Sequence, residues 1–324
     1  MRTVFRSLAD AAATDDFGPC ALTIGNFDGV HLGHRTLLKQ TERIAAMHGW
    51  RTAVLTFDPH PTAVVAPERA PQMLCSMQER LRLLENAGAE RIMVLPFTQQ
   101  IALMSPEAFV RQVVIESLGG HAVIVGQNFR FGHKQKGTPD VLAELGQRFG
   151  LETHFLAPVA IRGEVVSSSA IRRHLAAGNV SRAARLLGRC FSLEGEIVSG
   201  RGIGSTQTVP TLNLQPGSEI MPGNGVYISA AEDLENGRRW QSITNVGTRP
   251  TFDGHGVTIE TFLLSPFDGR TPERIRLEFH RFVREERKFA DAQALKSQIF
   301  KDVTRAKSYW RRLEKLQPAN VGLA

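Results

Sequence analysis

The sequence predicts an α/β domain followed by a small, mostly β domain. The first part of the chain alternates short apolar runs with amphipathic helical patterns, which is typical of a parallel sheet with helices on both faces. The second part has segments in which apolar and polar residues alternate, separated by turns rich in Gly and Pro, which predicts an antiparallel sheet or small barrel. At 324 residues the chain is long for one hydrophobic core. We therefore expect two domains, at 1–187 and 188–316, with a disordered tail at 317–324.

Four apolar runs in the first part predict buried strands, at residues 21–24, 53–57, 92–95 and 122–125. Helix-start signals lie between them. Ser76 and Glu79 form a capping box, and Ser105 and Thr138 each precede a proline at the first helical position. In parallel sheets of this type, ligands bind beyond the carboxyl ends of the strands. Segments that directly follow these strands are therefore the candidates for a binding site.

Five alternating segments in the second part predict the strands of the barrel, at residues 193–198, 226–230, 241–246, 257–264 and 275–282. A last helix is predicted because apolar residues recur there at spacings of three and four. These residues are Leu295, Ile299, Val303, Ala306, Trp310 and Leu313. We expect this stripe to pack against the core.

The composition narrows the class of protein. A net charge of +7 and a pI near 9.7 suit anionic partners, whether nucleotides, nucleic acid or acidic membranes. Cys20, Cys75 and Cys190 are far apart and form no CxxC pair, which favours a reduced, cytosolic setting. The first residues lack the apolar core of a signal peptide, and no stretch is long enough to span a bilayer. We therefore expect a cytoplasmic protein that is not embedded in a membrane.

The segment from Gly25 to His34, with the sequence GNFDGVHLGH, is the most informative part of the chain. It places His31 and His34 three residues apart where a predicted strand gives way to a helix. Free N–H groups at the helix start and two imidazoles on one face of the first turn favour an anion such as phosphate. Gly29 and Gly33 allow the backbone to approach a ligand closely. A simple helix cap is the alternative, and a metal site ranks below phosphate because no cluster of Cys or carboxylate ligands lies nearby.

Three further segments are expected at the same edge of the sheet. TFDPHP and VGQNFRFG each follow a predicted strand, and SSSAIR offers hydroxyls at a helix start with an arginine one turn later. Each segment taken singly is also typical of a turn, a surface loop or an ordinary cap. Their common position after successive strands indicates a shared site. The candidate residues are Asp58, His60, Asn128, Arg130, Ser167, Ser168 and Arg172.

These motifs, in this order, resemble those of the bacterial bifunctional riboflavin kinase/FAD synthetase family. The four motifs of the first part are similar to those of its FMN adenylyltransferase module, which implies a Rossmann-like nucleotidyltransferase sheet. The second part is similar to its riboflavin kinase module, which implies a small antiparallel barrel with a terminal helix. The matching segments there are PTLN at 210–213, GVY at 225–227, NVGTRPTF at 245–252, ETF at 260–262 and REERKF at 284–289. The resemblance covers nearly the whole chain.

The resemblance implies two consecutive reactions. Riboflavin and ATP give FMN and ADP, and FMN and a second ATP then give FAD and pyrophosphate, with Mg²⁺ as cofactor. The attacking phosphate oxygen of FMN is already anionic, so the second step needs positioning and charge neutralisation rather than a protein nucleophile. By resemblance, His31 and His34 are the catalytic residues of that step. ATP is assigned to Gly25, Asn26, Phe27, Asp28, His31, Gly33, His34, Ser167, Ser168 and Arg172, and FMN to Asp58, His60, Asn128 and Arg130.

The kinase step requires a carboxylate, because the 5′-hydroxyl of riboflavin must lose a proton. Glu260 is the candidate base, although a glutamate on an edge strand is usually only solvated. By resemblance, Thr211 and Asn213 hold Mg²⁺ and phosphate. The residues implied for ATP or flavin are Gly202, Gly204, Pro210, Thr211, Asn213, Asn245 and Arg284.

The chain departs from the family in this second module. Thr208, Val209 and Leu212 stand where the family usually has Gly, Phe and Ala, and the sequence FDGR at 267–270 replaces a Leu-Tyr-Gly stretch. We hypothesise that the retained Thr211, Asn213 and Glu260 suffice for kinase activity.

Two alternative functions are compatible with the same sequence. One is an adenylyltransferase whose second domain binds flavin without phosphorylating it. The other is a DNA-binding regulator, since residues 171–187 have the pattern helix, glycine turn, helix with many basic residues. That stretch also resembles the connector between the modules of the family. We therefore expect small-molecule partners and neither nucleic acid nor membrane, and we predict no particular oligomer.

Overall fold

The computed structural model describes residues 3–13, 16–198, 211–215, 217–251, 254–265, 270–287 and 289–316. The chain forms two compact units, Met1–Ser168 and Ser169–Ala324. The predicted fold class is confirmed, with a parallel sheet and helices in the first unit and a closed antiparallel barrel with a C-terminal helix in the second. The helices at 169–187 are grouped with the barrel, whereas we predicted a boundary after residue 187. That boundary stays a prediction, and the predicted tail lies outside the described residues.

The first unit is built on a parallel sheet of six strands in the order β1-β4-β3-β2-β5-β6. The strands are β1 (Thr3–Phe5), β2 (Cys20–Ile24), β3 (Arg51–Asp58), β4 (Arg91–Pro96), β5 (Gly120–Gly126) and β6 (Glu152–Leu156). The four predicted strands correspond to β2, β3, β4 and β5. The two that sequence reasoning missed are the edge strands, which are short or only half-buried and therefore lack a continuous apolar run.

Helices and short turns connect these strands. They are α1 (Leu8–Ala13), α2 (Leu32–His48), α3 (Pro61–Val65), α4 (Met77–Asn86), α5 (Gln99–Leu103), α6 (Pro106–Ala108) with π-helical turns at Phe109–Ser117, and α7 (Pro139–Phe149). A small hairpin, β7 (Ala160–Ile161) and β8 (Glu164–Val165), follows. The predicted caps Ser76, Ser105 and Thr138 each accept a hydrogen bond from the backbone N–H three residues later, which confirms these helix starts.

The central strands of the sheet are buried on both faces because most of their residues are apolar, and β2 is buried at all five positions. Leu22 and Leu55 face a core that includes α1, the π-helical turns and α7. Ala21 and Val54 face the opposite side, where α2 and α4 pack. This arrangement brings the segments that follow β2, β3 and β5 to the same edge of the sheet, as predicted.

The second unit contains six antiparallel strands that close into a barrel in the order β10-β13-β12-β11-β14-β9. The strands are β9 (Phe191–Val198), β10 (Thr211–Leu214), β11 (Gly225–Asp233), β12 (Arg239–Thr251), β13 (Gly254–Leu263) and β14 (Arg274–Arg284). The five predicted strands are present. No strand was predicted at residues 211–214, which form β10. This strand has only four residues, too few for its alternation to stand out.

The remaining helices are α8 (Ser168–Ala176), α9 (Val180–Leu187) and α10 (Ala292–Leu316). Val303, Ala306 and Trp310 of the predicted apolar stripe pack on the outer face of the barrel, against Val226 and its neighbours. Leu295, at the start of the same stripe, is 41% exposed, so the stripe covers the barrel over only part of its length.

The inside of the barrel contains a buried network of hydroxyl groups. Ser229 lies 2.8 Å from Ser242 and 2.7 Å from Thr244 between hydroxyl oxygens, and Thr244 lies 2.9 Å from Thr261. These hydroxyls satisfy one another, as buried polar groups must.

Candidate active sites

The loop between β2 and α2 follows a path that apolar residues rarely adopt. Phe27 has a φ of 47° and Val30 a φ of 37°, and both side chains are fully buried. Such left-handed conformations cost about 1–3 kcal/mol each and persist only where the surroundings enforce them. Burial of the two side chains among Leu38, Val54 and other core residues supplies that enforcement. The loop is therefore held in one shape before any ligand binds.

Hydrogen bonds hold the same loop from both sides. The hydroxyl of Thr56 donates to the carbonyl of Asn26 at 3.1 Å, and the hydroxyl of Ser168 donates to the carbonyl of Asp28 at 2.9 Å. The carboxylate of Asp28 accepts from the backbone N–H of Leu74 at 2.8 Å. Asp28 is 2% exposed, so its described contacts brace the loop.

The two predicted histidines form a stacked pair at the start of α2. Their ring centroids are 3.6 Å apart and the planes differ by 12°. His31 is the N-cap, and its Nδ1 accepts from the backbone N–H of His34 at 3.3 Å. A neutral His31 ring therefore carries its proton on Nε2. A Cβ atom on Gly33 would lie 3.2 Å from the His31 ring, so glycine at this position leaves room for the stack.

Burial lowers the pKa of His34 well below its ordinary value, and the charges of His31 and Arg80 lower it further. His34 is therefore neutral near pH 7. Sequence reasoning missed Arg80, which is 3% exposed and donates to the carbonyl of Phe57 at 3.4 Å. Its Nε has no hydrogen-bond partner among the described residues. The sequence did contain a signal for Arg80, because this arginine lies on the apolar face of α4, one turn before Leu84.

A cavity of about 620 Å³ lies beyond the ends of β2, β3 and β5. Its walls combine aromatic rings with a few polar groups, among them Phe57, Phe97, Phe129, Phe131, Asn26, Asn128, Arg130, His133 and Lys134. The structure therefore brings four predicted residues around one space, namely Gly25, Asn26, Asn128 and Arg130. The aromatic walls, His133 and Lys134 were not predicted as parts of the site.

The other predicted residues of this unit do not line the cavity. His60 caps α3 by accepting from the N–H of Thr62, and its Nε2 lies 2.9 Å from the amide nitrogen of Asn26. Asp58 is exposed at the end of β3. Ser167 directly precedes α8. Arg172 follows Ser168 by one turn of that helix and belongs to the second compact unit.

In the barrel, three predicted residues lie in one row across neighbouring strands. Glu260 of β13 is directly opposite Asn213 of β10 on one side and Asn245 of β12 on the other. Directly opposite residues in antiparallel strands share a face of the sheet. Thr211, two residues before Asn213, lies on the same face opposite Phe262. Glu260 is thus not on an edge strand, because the barrel is closed and β13 is paired on both sides.

A second cavity, of about 560 Å³, lies between this row and α10. Its lining includes Asn245, Glu260, Phe262, Arg284, Glu286, Arg287, Phe289, Ile299 and Asp302. Carboxylates, two arginines and aromatic rings therefore face one space. Gly202, Gly204 and Pro210 lie outside the described residues.

Arg284 connects the barrel to α10. Its Nε donates to Asp302 at 2.9 Å, and Gln298 donates to the other oxygen of the same carboxylate at 2.8 Å. Asp302 is 2% exposed, so the ion pair is largely shielded from water. Asn245 donates to Glu286 at 3.3 Å across the cavity wall. The predicted ligand Arg284 thus also has a structural role, which sequence reasoning missed because Asp302 is remote in the chain.

The oxygen donors of Thr211 and Asn213 suit Mg²⁺, a hard cation that keeps several water or phosphate ligands. Among the described residues, no group of three or more His, Cys, Asp or Glu side chains has an arrangement for holding a metal. The donor set therefore fits a cation held jointly by a few protein groups and a nucleotide.

Comparison with known proteins agrees with this division of the chain. Residues 13–170 match the family model for FAD synthetase, and residues 187–310 match the model for riboflavin kinase. The bifunctional riboflavin kinase/FMN adenylyltransferase of Pseudomonas fluorescens is 34% identical over 290 residues, which cover 89% of this chain and 92% of the relative. The protein of the same name from Escherichia coli strain K12 is 32% identical over 292 residues, with coverages of 90% and 93%.

Solved structures extend the comparison to the fold. A crystal structure named as a macrolide-efflux protein from Streptococcus pneumoniae has a TM-score of 0.83 and 25% identity, and the match covers 94% of this chain and 98% of that one. In the part of the chain that the structure describes, no helix combines the length and apolarity needed to cross a membrane. By its two family matches and its full-length relatives, the chain belongs to the family of bifunctional riboflavin kinase/FMN adenylyltransferases.

Proposed function

We propose that this chain makes FAD from riboflavin in two ATP-dependent steps, the first in the barrel and the second in the parallel-sheet unit. The observation that carries the proposal is that one chain holds two sites suited to different chemistry. One has stacked imidazoles at a helix N-terminus, and the other has a carboxylate in register with two amides. An adenylyl transfer needs the first kind of site, and phosphorylation of a hydroxyl needs the second.

In the barrel, Glu260 accepts the proton of the 5′-hydroxyl of riboflavin while the oxygen attacks the γ-phosphorus of ATP. Asn213 and Asn245 flank the carboxylate and orient the groups that meet there. Phe262 and Phe289 supply apolar walls for a flavin ring. Thr211 and Asn213 would hold Mg²⁺, which neutralises charge on the transferring phosphoryl group.

In the parallel-sheet unit, a phosphate oxygen of FMN attacks the α-phosphorus of ATP, and pyrophosphate leaves. His31, His34 and the first N–H groups of α2 bind the phosphates, so no general base is needed. A neutral His34 contributes a hydrogen bond rather than a charge. The cavity walled by Phe57, Phe97 and Phe129 takes the flavin ring.

Ser167, Ser168 and Arg172 are proposed to bind the triphosphate from the start of α8, as their spacing along that helix suggests. Arg130 and Asn128 are proposed to bind the phosphate or ribityl chain of FMN. A cytoplasmic location is supported by the three cysteines, which form no disulfide.

The two alternative functions receive less support. Thr211 and Asn213 keep their register with β13 despite the substitutions around them, which favours a working kinase over a degenerate domain. The second helix of the proposed DNA-binding pair buries Val180, Ala183 and Leu186, and Ser181 donates to the carbonyl of His280 in the barrel. This helix is therefore committed to packing.

The test is to incubate the purified chain with riboflavin and Mg-ATP and to separate flavins by chromatography. We expect FMN to appear first and FAD to follow. A parallel reaction supplied with FMN isolates the second step. FAD formed from FMN but not from riboflavin would support the degenerate-domain alternative, and no product in either reaction would contradict the proposal.

A further inference from the structure

A cysteine, a histidine and a glutamate lie together in the second unit, outside both proposed sites. The Sγ atom of Cys190 is 3.6 Å from Nδ1 of His280, and Nε2 of His280 is 3.7 Å from a carboxylate oxygen of Glu278. Arg239 donates to the same carboxylate at 2.5 Å. The order thiol, imidazole, carboxylate is the arrangement that activates a nucleophilic cysteine.

The surroundings of His280 favour its charged form. Burial by itself lowers the pKa of His280, but the contact with Cys190 and the nearby carboxylate of Glu278 outweigh it and raise that pKa to about 9. The pKa of Glu278 is lowered in spite of burial, because His280 and Arg239 stabilise the carboxylate. A positive imidazole in contact with a thiol favours the thiolate.

Other groups around the ring come from α10 and neighbouring strands. The hydroxyl of Tyr309 lies 3.3 Å from Nδ1 of His280, and the ring of Trp310 packs edge-on with its centroid 4.6 Å away. Arg281 contributes a further positive charge near Tyr309. The charged partners that act directly on this cluster are Glu278, which favours the imidazolium, and Arg239, which favours the carboxylate of Glu278.

Cys190 also differs from the other two cysteines in exposure. Cys20 is 0% exposed and donates to the carbonyl of Leu118, and burial raises the pKa of its thiol to about 12. Cys75 is 5% exposed. Cys190 is half-buried, just before β9. Cys190 is therefore the most exposed of the three cysteine residues.

We propose that Cys190 and His280 form a thiolate–imidazolium pair, and that Cys190 is a modification site for peroxides and other small electrophiles. With hydrogen peroxide, the sulfur attacks one oxygen and the O–O bond breaks. The departing hydroxide takes the proton of His280 and becomes water, which leaves a sulfenic acid on Cys190 and a neutral imidazole. The sulfur is oxidised by two electrons and the peroxide is reduced by two.

The test is the pH dependence of alkylation by iodoacetamide on the native, full-length protein, read peptide by peptide with mass spectrometry. The rate for an ordinary thiol rises roughly 75-fold between pH 6 and pH 8, in proportion to its thiolate fraction. We expect the rate at Cys190 to rise less than about fivefold over this range, because a positively charged His280 against the sulfur stabilises the reactive thiolate form. Cys20 and Cys75 serve as internal controls and should remain unlabelled.

Substitutions identify the cause of the flat profile. His280→Asn should restore the steep rise and slow labelling at pH 6 about fivefold, since the lower nucleophilicity of a stabilised thiolate offsets part of its abundance. Tyr309→Phe keeps the ring packing and should keep the flat profile. Glu278→Gln should give a pH profile between those of the wild type and His280→Asn. It also serves as the second variant if the circular dichroism of His280→Asn shows that this protein has not folded.

Oxidation is tested separately with hydrogen peroxide and dimedone, which traps sulfenic acids. We expect a dimedone adduct at Cys190 in the wild type and at least about fivefold less in His280→Asn. If the alkylation rate of wild-type Cys190 rises as steeply with pH as that of an ordinary thiol, the proposed ion pair between Cys190 and His280 is wrong. The absence of an adduct in the wild type would overturn the modification site.

Discussion

The two candidate sites differ in how many segments of the chain supply their functional residues. In the first unit, the histidine pair lies in one short segment that follows a single strand, and the cavity is formed by loops beyond the strand ends. In the barrel, Glu260 and its two amide neighbours come from three strands and meet only through register. The first site therefore depends on the conformation of one loop, whereas the second depends on the pairing of the whole barrel. Substitutions in the two units should consequently affect the two reactions independently.

The largest expected effect comes from Glu260→Gln. The amide keeps the shape of the side chain but does not accept the proton of the riboflavin hydroxyl, so FMN formation should fall about 100- to 10,000-fold. Conversion of supplied FMN to FAD should change by less than about twofold. Glu235→Gln, in an exposed turn of the same unit, is the matched control. Equal losses in both reactions would indicate misfolding rather than a missing base.

The corresponding substitution in the first unit is His31→Ala. It removes the cap of α2 and one half of the stacked pair, and we expect FAD formation to fall about 100- to 1,000-fold. FMN should then accumulate from riboflavin, because the kinase step is untouched. His121→Ala, at an exposed histidine of the same unit, should leave both rates unchanged. Normal FAD formation by His31→Ala would contradict the assignment of the phosphate site.

A smaller effect is expected from Asp302→Asn, which tests how far the barrel site depends on α10. The substitution leaves the guanidinium of Arg284 against a neutral amide, which should cost about 1–3 kcal/mol of unfolding free energy. Urea unfolding followed by tryptophan fluorescence measures this, since two of the three tryptophans, Trp240 and Trp310, belong to the barrel unit. Glu314→Gln on the same helix is the control. Kinase activity should fall more than adenylyl transfer. A larger fall in adenylyl transfer would show that the barrel site does not depend on α10 in this way.

The smallest expected effect is a pH dependence of stability that arises in the first unit. The folded protein keeps His34 neutral below its ordinary pKa, whereas the unfolded chain takes up the proton. The contribution of this residue to stability is therefore complete above pH 6.5 and decreases as the pH falls below it. Between pH 6.5 and 5.5, the unfolding free energy of the wild type should fall by about 1 kcal/mol more than that of His34→Gln. Parallel losses in the two proteins would show that His34 titrates normally.

How much the sequence predicts depends on whether the interacting residues are neighbours in the chain. The histidine segment carries its own turn, cap and helix start, so its site was predictable from ten consecutive residues. Arg80 and Asp302 were missed because each acts on a residue far away in sequence. Strand β10 was missed because its four residues are stabilised by pairing with β9 and β13 rather than by their own pattern. A site formed by one segment can be predicted from that segment alone. Strand register and ion pairs between distant segments can be identified only once the fold is known.

The closed barrel also determines which changes of length the gene tolerates. Side chains alternate between the two faces of β13, and the next residue after Glu260, Thr261, points into the hydroxyl network inside the barrel. Deletion of one codon between 254 and 259 would shift the pairing by one position and exchange these two faces. We expect such a deletion to abolish FMN formation, whereas an added codon at the exposed turn around Gly237 should be silent. Over evolutionary time, this enzyme should therefore vary in length between its barrel strands and keep the length of β13 constant.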